Sequence, residues 1–544
     1  MKTFFKTIIP AAALALTMGF SSCADDLHVD PINPNLTTNV EASQLFNKCY
    51  ANMIMQGNGG ANGDCDIVAS DGGSSTLVRQ LFNHNELTTD EAICGWNDPS
   101  ISALDYNTYD AASDFTRILY YRLFFGIPLC NQYIQKFGDQ DATKTAEVRF
   151  LRALFYYELM DCFGNPPFTL DASGSTPKQI KRADLFKWLE TELKEIEPQL
   201  SEAKPKTSSD AGYGRVDKAA AWLLLARMYL NAEVYTGTPR WADAQTYAKK
   251  VMDSPYKLYT ASKKDPSGRT WSAYQQLFMG DNGENGASVE AIFPLLQDGL
   301  KTTSWGGSTF FIASTTDDKV HIKDANTAGT GITEQWGGNR MRPELVAKFF
   351  PQGDAPQIGA YAMPEAAGDD RAIFDGEGRL LDNVEVGTFN NGYAVCKFVN
   401  FKTDGTAGHN SQFPDADYFF MRSAEAYLIY AEADARLHGN NTTAEGTAAI
   451  NALRERAHAS TRTGANASFS LDDICDEWSR EFYFEGLRRP TLVRFGRFGG
   501  NSSYTWTWKG GVKAGGSFAA TRNIFPIPSN DKTVNGNLIQ NPGY

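Results

Sequence analysis

Trp222-Leu223-Leu224-Leu225-Ala226-Arg227-Met228-Tyr229 sets a tryptophan, a leucine, a small residue and a tyrosine at the spacing W-x2-L-[G/A]-x2-Y, the first half of a tetratricopeptide-like helix pair. Trp241 to Asp253, with Ala244 and Ala248 one turn apart and Pro255 beyond, supplies the second half. Small alanines let paired helices approach closely, and Trp222 and Tyr229 are expected to fill the gap. Ala146 to Phe163 has Val148, Leu151, Leu154, Phe155 and Leu159 at the spacing of an amphipathic helix, and it stops at Gly164-Asn165-Pro166-Pro167. Asp184 to Leu200 reads as a helix capped by Asp184 and closing near Pro198. Tyr418 to Leu437, with Ala424, Ala426, Ala431 and Ala433, and Thr443 to Arg456 read as another helical hairpin. The expected fold is mainly α, with about four tetratricopeptide-like helix pairs over residues 140–255 and 418–498.

Between these pairs, residues 256–415 are rich in Gly, Asn, Asp and Thr and carry little helical periodicity. A helical scaffold does not need so much loop, and long ordered loops usually carry function. Together with residues 60–110 they form a loop-rich candidate binding face. The chain has 34 Phe, 23 Tyr and 10 Trp, and several of these lie in Gly-rich loops instead of helical stripes. Such aromatics are candidate flat binding platforms.

The N-terminus bounds the location. Lys2 and Lys6 precede an apolar run from Thr7 to Phe20, followed by Ser21-Ser22-Cys23-Ala24-Asp25-Asp26. A short apolar segment behind a basic start is a secretory leader and not a spanning helix. Small residues ending on a cysteine resemble a bacterial lipobox, so residues 1–22 are expected to be removed and Cys23 lipidated. Asp25 and Asp26 resemble the acidic surface-export signals of some Gram-negative lipoproteins. Residues 23–40, punctuated by Pro31 and Pro34, read as a tether, and residues 41–544 as one globular domain. The expected location is the outer membrane, lipid-anchored and facing outward.

Chemistry is mostly excluded. A net charge of -13 argues against nucleic acid, whose phosphates need a basic footprint. The six histidines form no HExxH or other two-histidine metal spacing. Trp305-Gly306-Gly307-Ser308 is not a nucleophile elbow. No phosphate-binding or dinucleotide fingerprint occurs. Carboxylate pairs such as Asp90-Glu91 and Asp369-Asp370 are plentiful, and sequence does not say whether any pair stands at glycosidase spacing. Asp281-Asn282-Gly283-Glu284-Asn285 offers oxygen ligands for a structural calcium ion but misses the EF-hand pattern; a solvated turn is the alternative. No cofactor is expected. After Cys23, seven scattered cysteines without a CxxC pair exclude a complete disulfide framework.

Four segments point to a family. Glu147-Val148-Arg149-Phe150-Leu151-Arg152-Ala153-Leu154-Phe155-Tyr156-Tyr157, ending Phe163-Gly164-Asn165-Pro166-Pro167, resembles the SusD/RagB family of surface glycan-binding lipoproteins. Glu477 to Phe495, Phe525-Pro526-Ile527-Pro528 and Gln540-Asn541-Pro542-Gly543-Tyr544 agree with it in order along the chain. Thr491 departs from the family's usual aspartate. The resemblance implies a non-enzymatic subunit that binds glycans at the cell surface. It would hand them to a SusC-like, TonB-dependent outer-membrane transporter.

Within the family the chain resembles the starch binder. Arg79 to Glu91 and Asp298-Gly299-Leu300-Lys301-Thr302, leading into Gly306-Gly307-Ser308-Thr309, are similar to its site segments. That resemblance implies an arc of three aromatics at Trp96, Trp305 and Trp336, with Trp305 standing for a tyrosine. Arg79 matches a basic residue that bonds sugar hydroxyls. An asparagine expected after the first tryptophan is out of register: Pro99 falls there, leaving Asn97 and Asp98 as nearby substitutes, and Cys94 replaces a second tryptophan. The implied ligand is starch or maltooligosaccharide, an α-1,4-glucan. Alternatives are another glycan, such as a fructan or xylan, an exported carbohydrate-active enzyme, or a structural adaptor that binds only protein.

Overall fold

Helical periodicity resolves into a stack of packed helices in the computed structural model, which describes residues 40–171, 176–465 and 467–544. The leader, Cys23 and the tether through residue 39 lie outside the described residues. The main helices are α1 (Asp114–Phe137), α2 (Ala142–Phe163), α3 (Arg182–Ile196), α4 (Lys218–Leu230), α5 (Trp241–Asp253), α6 (Ala424–Leu437), α7 (Ala444–Arg456), α8 (Leu471–Phe482) and α9 (Arg488–Arg494). Helix α5 packs on α4 on one side and on α6 on the other, and α6 continues to α7. Two helix pairs distant in sequence thus form one stack. Ala244 and Ala248 of α5 are fully buried at this contact, which explains their small side chains. Arg227 of α4 clamps Glu425 of α6 through two hydrogen bonds of 2.7 and 2.8 Å. Tyr229 fills the interior and donates to Glu190 at 2.7 Å. Trp222 is half-buried, with its indole N–H on Glu197 at 2.6 Å.

Three local expectations change. Helix α2 is buried on nearly every side from Ala146 onward, its charged Arg152, Glu158 and Asp161 included, because α1 and α3 flank it; it is a central helix, not an amphipathic one. Asp184 lies in the first turn of α3 and does not cap it, the preceding residue being Lys181. Tyr418–Arg422 is a strand, not the start of a helix. Its aromatic residues suit a pleated, buried surface, and it pairs antiparallel with Ala291–Leu295.

The Glu477–Phe495 segment is the scaffold's electrostatic knot. Glu481 of α8 accepts from Arg422 at 2.6 Å and Arg371 at 3.3 Å, and it also pairs with Arg456. Burial would raise its pKa, but Arg456, Arg422 and Arg371 hold it down to about 2. Glu477 bonds Arg371 at 2.8 Å and Arg454 at 2.7 Å. Thr491, buried on α9, turns its hydroxyl onto the Leu487 carbonyl at 2.9 Å. The seven described cysteines are free thiols, buried except for Cys65.

The loop-rich stretch contains a small sheet that sequence reading leaves as loop. Strand β1 (Ala92–Cys94) pairs antiparallel with β2 (Asn339–Met341), which pairs with β4 (Ala394–Val395), which in turn pairs with β3 (Phe374–Asp375). Register is set by Ala92 opposite Met341 and Cys94 opposite Asn339. Among the described residues no helix is long and apolar enough to cross a membrane.

Candidate functional site

The β1–β2 register brings two of the tryptophans together. Trp96 follows β1 by two residues and Trp336 precedes β2 by three, so both leave the same end of the pair. Gly95 N–H donates to the Gly338 carbonyl at 3.0 Å and extends the ladder. Arg340, fully buried, locks this end by donating to the carbonyls of Gly338, Glu385 and Val386. Burial brings the Arg340 pKa down to about 10. Asp105 receives the Cys94 N–H at 3.2 Å from beneath; burial raises its pKa to about 7 despite Arg342 and Lys509.

The third tryptophan arrives by way of a short helix, Ser308–Ala313. Trp305 lies just before it, and the carbonyl of Ala313 at its end accepts the Trp336 N–H at 2.7 Å. The resulting order is Trp96, Trp336, Trp305. Ring centroids are 6.3 Å apart with a 51° tilt for the first step and 6.1 Å apart with a 41° tilt for the second. All three rings are half-buried. Their apolar support comes from Phe310, 6.5 Å from Trp96, and Phe413, 4.8 Å from Trp305. Two indole N–H groups are engaged within the protein, Trp305 with the Ala61 carbonyl at 3.0 Å and Trp336 with Glu334 at 2.7 Å.

Glycines let the backbone touch the rings. A Cβ on Gly338 would lie 2.4 Å from Cε2 of Trp96, and one on Gly73 would lie 2.8 Å from Cβ of Trp305. The Gly-rich setting of these tryptophans therefore reflects close packing, with aromatic company drawn from elsewhere in the chain.

Arg79 joins the same place. Its guanidinium lies 5.6 Å from the Trp96 ring centre and 4.9 Å from that of Phe310, and it bonds Asp71 at 3.1 Å. An open cavity of about 400 Å³ is lined by Asp71, Gly72, Gly73, Arg79, Trp305 and Trp336. Asn97 and Asp98 are exposed and follow Trp96 on the rim. The Asp98 carbonyl accepts the N–H of Ile101 and Ser102, starting the helix Pro99–Asp105. Of the six residues expected at a sugar site, Arg79, Trp96, Trp305 and Trp336 meet in one cluster, with Arg79, Trp305 and Trp336 on the cavity wall, while Asn97 and Asp98 stand apart on the rim. Asp71, Gly73, Glu334, Phe310 and Phe413 join the cluster although no local motif marks them.

The carboxylate pairs are committed elsewhere. Asp90 accepts from Arg488 at 2.7 and 2.8 Å, Glu91 from Ser479 at 2.6 Å, and Asp369 from Arg371 at 2.8 and 2.9 Å. In the 281–285 loop, Asp281 accepts from Thr403 and Asn285, Asn282 clamps the Asp417 backbone, and Glu284 accepts from Ser208. Among the described residues no group of three or more His, Cys, Asp or Glu side chains is placed to hold a metal ion.

The SusD family pattern matches residues 240–544. The starch-binding protein SusD of Bacteroides thetaiotaomicron is 37% identical over 583 aligned positions, covering 100% of both chains. The chain belongs to the SusD family. A more distant relative, the SusD-like protein P2 of Formosa agariphila, is 25% identical over 77% of this chain and 78% of its own. Among solved structures, a SusD superfamily protein from Parabacteroides distasonis superposes with a TM-score of 0.66 at 20% identity, covering 94% of this chain and 100% of that one. A laminarin-binding SusD-like protein gives 0.63 at 20% identity, with the same coverage. At these identities the two structures establish the SusD-family fold and leave the ligand to the site itself.

Proposed function

We propose that this SusD-family protein is a non-catalytic binder of α-1,4-glucan, with Trp96, Trp336 and Trp305 as an arc of sugar platforms. The observation that carries the reading is the turn from ring to ring, 51° and then 41°. A pyranose lays its apolar C–H face on an indole, burying area worth about 25 cal/mol per Å². Glucose units joined α-1,4 wind into a shallow helix, so successive sugars present tilted faces that rings tilted to one another can meet. A flat β-1,4 chain would match coplanar rings. Arg79 and Asp71 at the cavity wall offer donors and acceptors for sugar hydroxyls, each worth about 1 kcal/mol net. The identity of 37% to a starch-binding protein over the full length supports the same ligand class.

The reading extends to the cell surface. Lipid on Cys23 would hold the protein at the outer membrane, and a SusC-like TonB-dependent transporter would receive the glycan; the family resemblance supports both. Affinity electrophoresis in gels containing amylopectin, pullulan, dextran, levan or xylan tests the ligand. Retardation by amylopectin and pullulan alone is expected. Retardation only by levan or xylan would replace the α-glucan with another polymer.

A further inference from the structure

Outside the arc, Trp508 is half-buried with a φ of +65°, a left-handed conformation that a bulky side chain rarely adopts. Its ring lies 6.4 Å from that of Tyr106, within 29° of parallel. Like Trp305 and Trp336, it turns its indole N–H into the protein, here onto the Asn383 carbonyl at 2.6 Å. Gly510 N–H bonds the Tyr106 carbonyl at 2.9 Å and holds the two segments together. The Lys513–Asp382 ion pair, 2.6 Å long and half-exposed, flanks the tryptophan: the Lys513 carbonyl accepts the Trp508 N–H, and Asp382 precedes Asn383. The Tyr106 hydroxyl has no hydrogen-bond partner among the described residues.

The buried anchor of this segment is a different ring. Trp506, two residues earlier, already anchors the segment: it is 2% exposed and packs on Phe498, Tyr504 and Phe518. The Trp508 ring is instead held near parallel to a tyrosine beside charged groups, in a strained conformation. That combination is a platform for a ligand with an apolar face and polar edges. The platform is also joined to the arc through the chain. Helix Pro99–Asp105 runs from just beyond Trp96 to Tyr106, about 10 Å at 1.5 Å per residue. The strap carrying Asn383 reaches Glu385 and Val386, whose carbonyls are held by Arg340 at the root of Trp336.

We propose that Tyr106 and Trp508 form a second sugar platform, which engages the same α-glucan beyond the sugars held in the arc. This rests on the arc reading above. It makes binding length-dependent: a short oligosaccharide fills the arc alone, while a polymer touches both places and gains by multivalency.

The test compares maltotriose and amylopectin binding by the whole protein, wild type and variants. Trp508→Gly removes the ring and suits the positive φ, so folding should persist; Tyr106→Ala removes its partner independently. Each variant should weaken amylopectin binding by about three- to tenfold and leave maltotriose unchanged. Trp336→Ala should lose both ligands. Unchanged amylopectin affinity in both platform variants, with Trp336→Ala still defective, overturns the second platform and leaves the arc standing. Equal loss of maltotriose and amylopectin in the platform variants also overturns it, because the arc itself would then be disturbed. A wild-type protein that binds neither glucan overturns both.

Discussion

Glu334 accepts the indole N–H of Trp336 on one carboxylate oxygen at 2.7 Å and the side-chain amide of Gln412 on the other at 2.8 Å. Gln412 adjoins Phe413, whose ring lies 4.8 Å from Trp305. One carboxylate thus links the middle ring of the arc to Gln412, the neighbour of the residue that supports an outer ring.

Glu334 is therefore a positioning residue. Glu334→Ala should lower maltotriose affinity about fivefold, near 1 kcal/mol, and shift tryptophan emission. Glu334→Gln keeps an amide oxygen for Trp336 and should recover part of the loss. Isothermal titration alongside fluorescence checks both. Full affinity in Glu334→Ala would show that the rings hold their tilt unaided.

Gly338 lies against Trp96 so closely that an alanine Cβ would fall 2.4 Å from Cε2 of the indole. Gly338→Ala must move the ring or the strap that carries Trp336. A drop in glucan affinity of about tenfold is expected, with a smaller change in melting temperature. A crystal structure of the variant should show a displaced Trp96.

The Glu481 knot bears on stability and not on sugar. Removing its carboxylate leaves Arg422 and Arg456 buried with one acidic partner fewer. Glu481→Ala should cost about 3–5 kcal/mol in chemical denaturation. Under conditions where the variant is folded, its glucan affinity should match wild type.

Asp417 makes a pH prediction. Its carboxylate accepts from Tyr213 at 2.6 Å and from the Gln297 N–H at 2.8 Å, and burial raises its pKa to about 7. The native state therefore holds a proton that the unfolded chain releases near pH 4. Stability from this group is complete below pH 4 and is lost as pH rises through 7. Asp417→Asn cannot titrate, so the melting-temperature gap between wild type and variant should move by about 2–5 °C in the variant's favour from pH 5 to pH 8. A gap that stays constant would mean that Asp417 titrates normally in the fold.

The helices were legible because their apolar residues repeat at 3.6 and end at Pro, Gly or polar breaks, as α5 does before Pro255. Strand Tyr418–Arg422 was not: its aromatics run directly into the alanine pattern of α6, and its pairing partner lies far upstream. The arc rested on resemblance for its three rings, since β1 and β2 are three residues each and meet only in the folded chain. Asp71, Glu334 and Phe413 reach the site from unrelated loops, and nothing in their neighbours announces it. The out-of-register Asn97 and Asp98 fell on the rim because Pro99 starts a helix immediately after them.

The most direct test titrates maltoheptaose and a linear β-1,4-glucan oligomer of equal length into wild-type protein and into Trp96→Ala, Trp305→Ala and Trp336→Ala. Maltoheptaose alone should bind. Trp336→Ala, which removes the ring shared by both steps of the arc, should lose nearly all binding, and the two outer variants should show intermediate losses. Undiminished maltoheptaose binding by Trp336→Ala, or equal binding of the β-linked oligomer, would contradict a curved α-glucan platform at these three tryptophans.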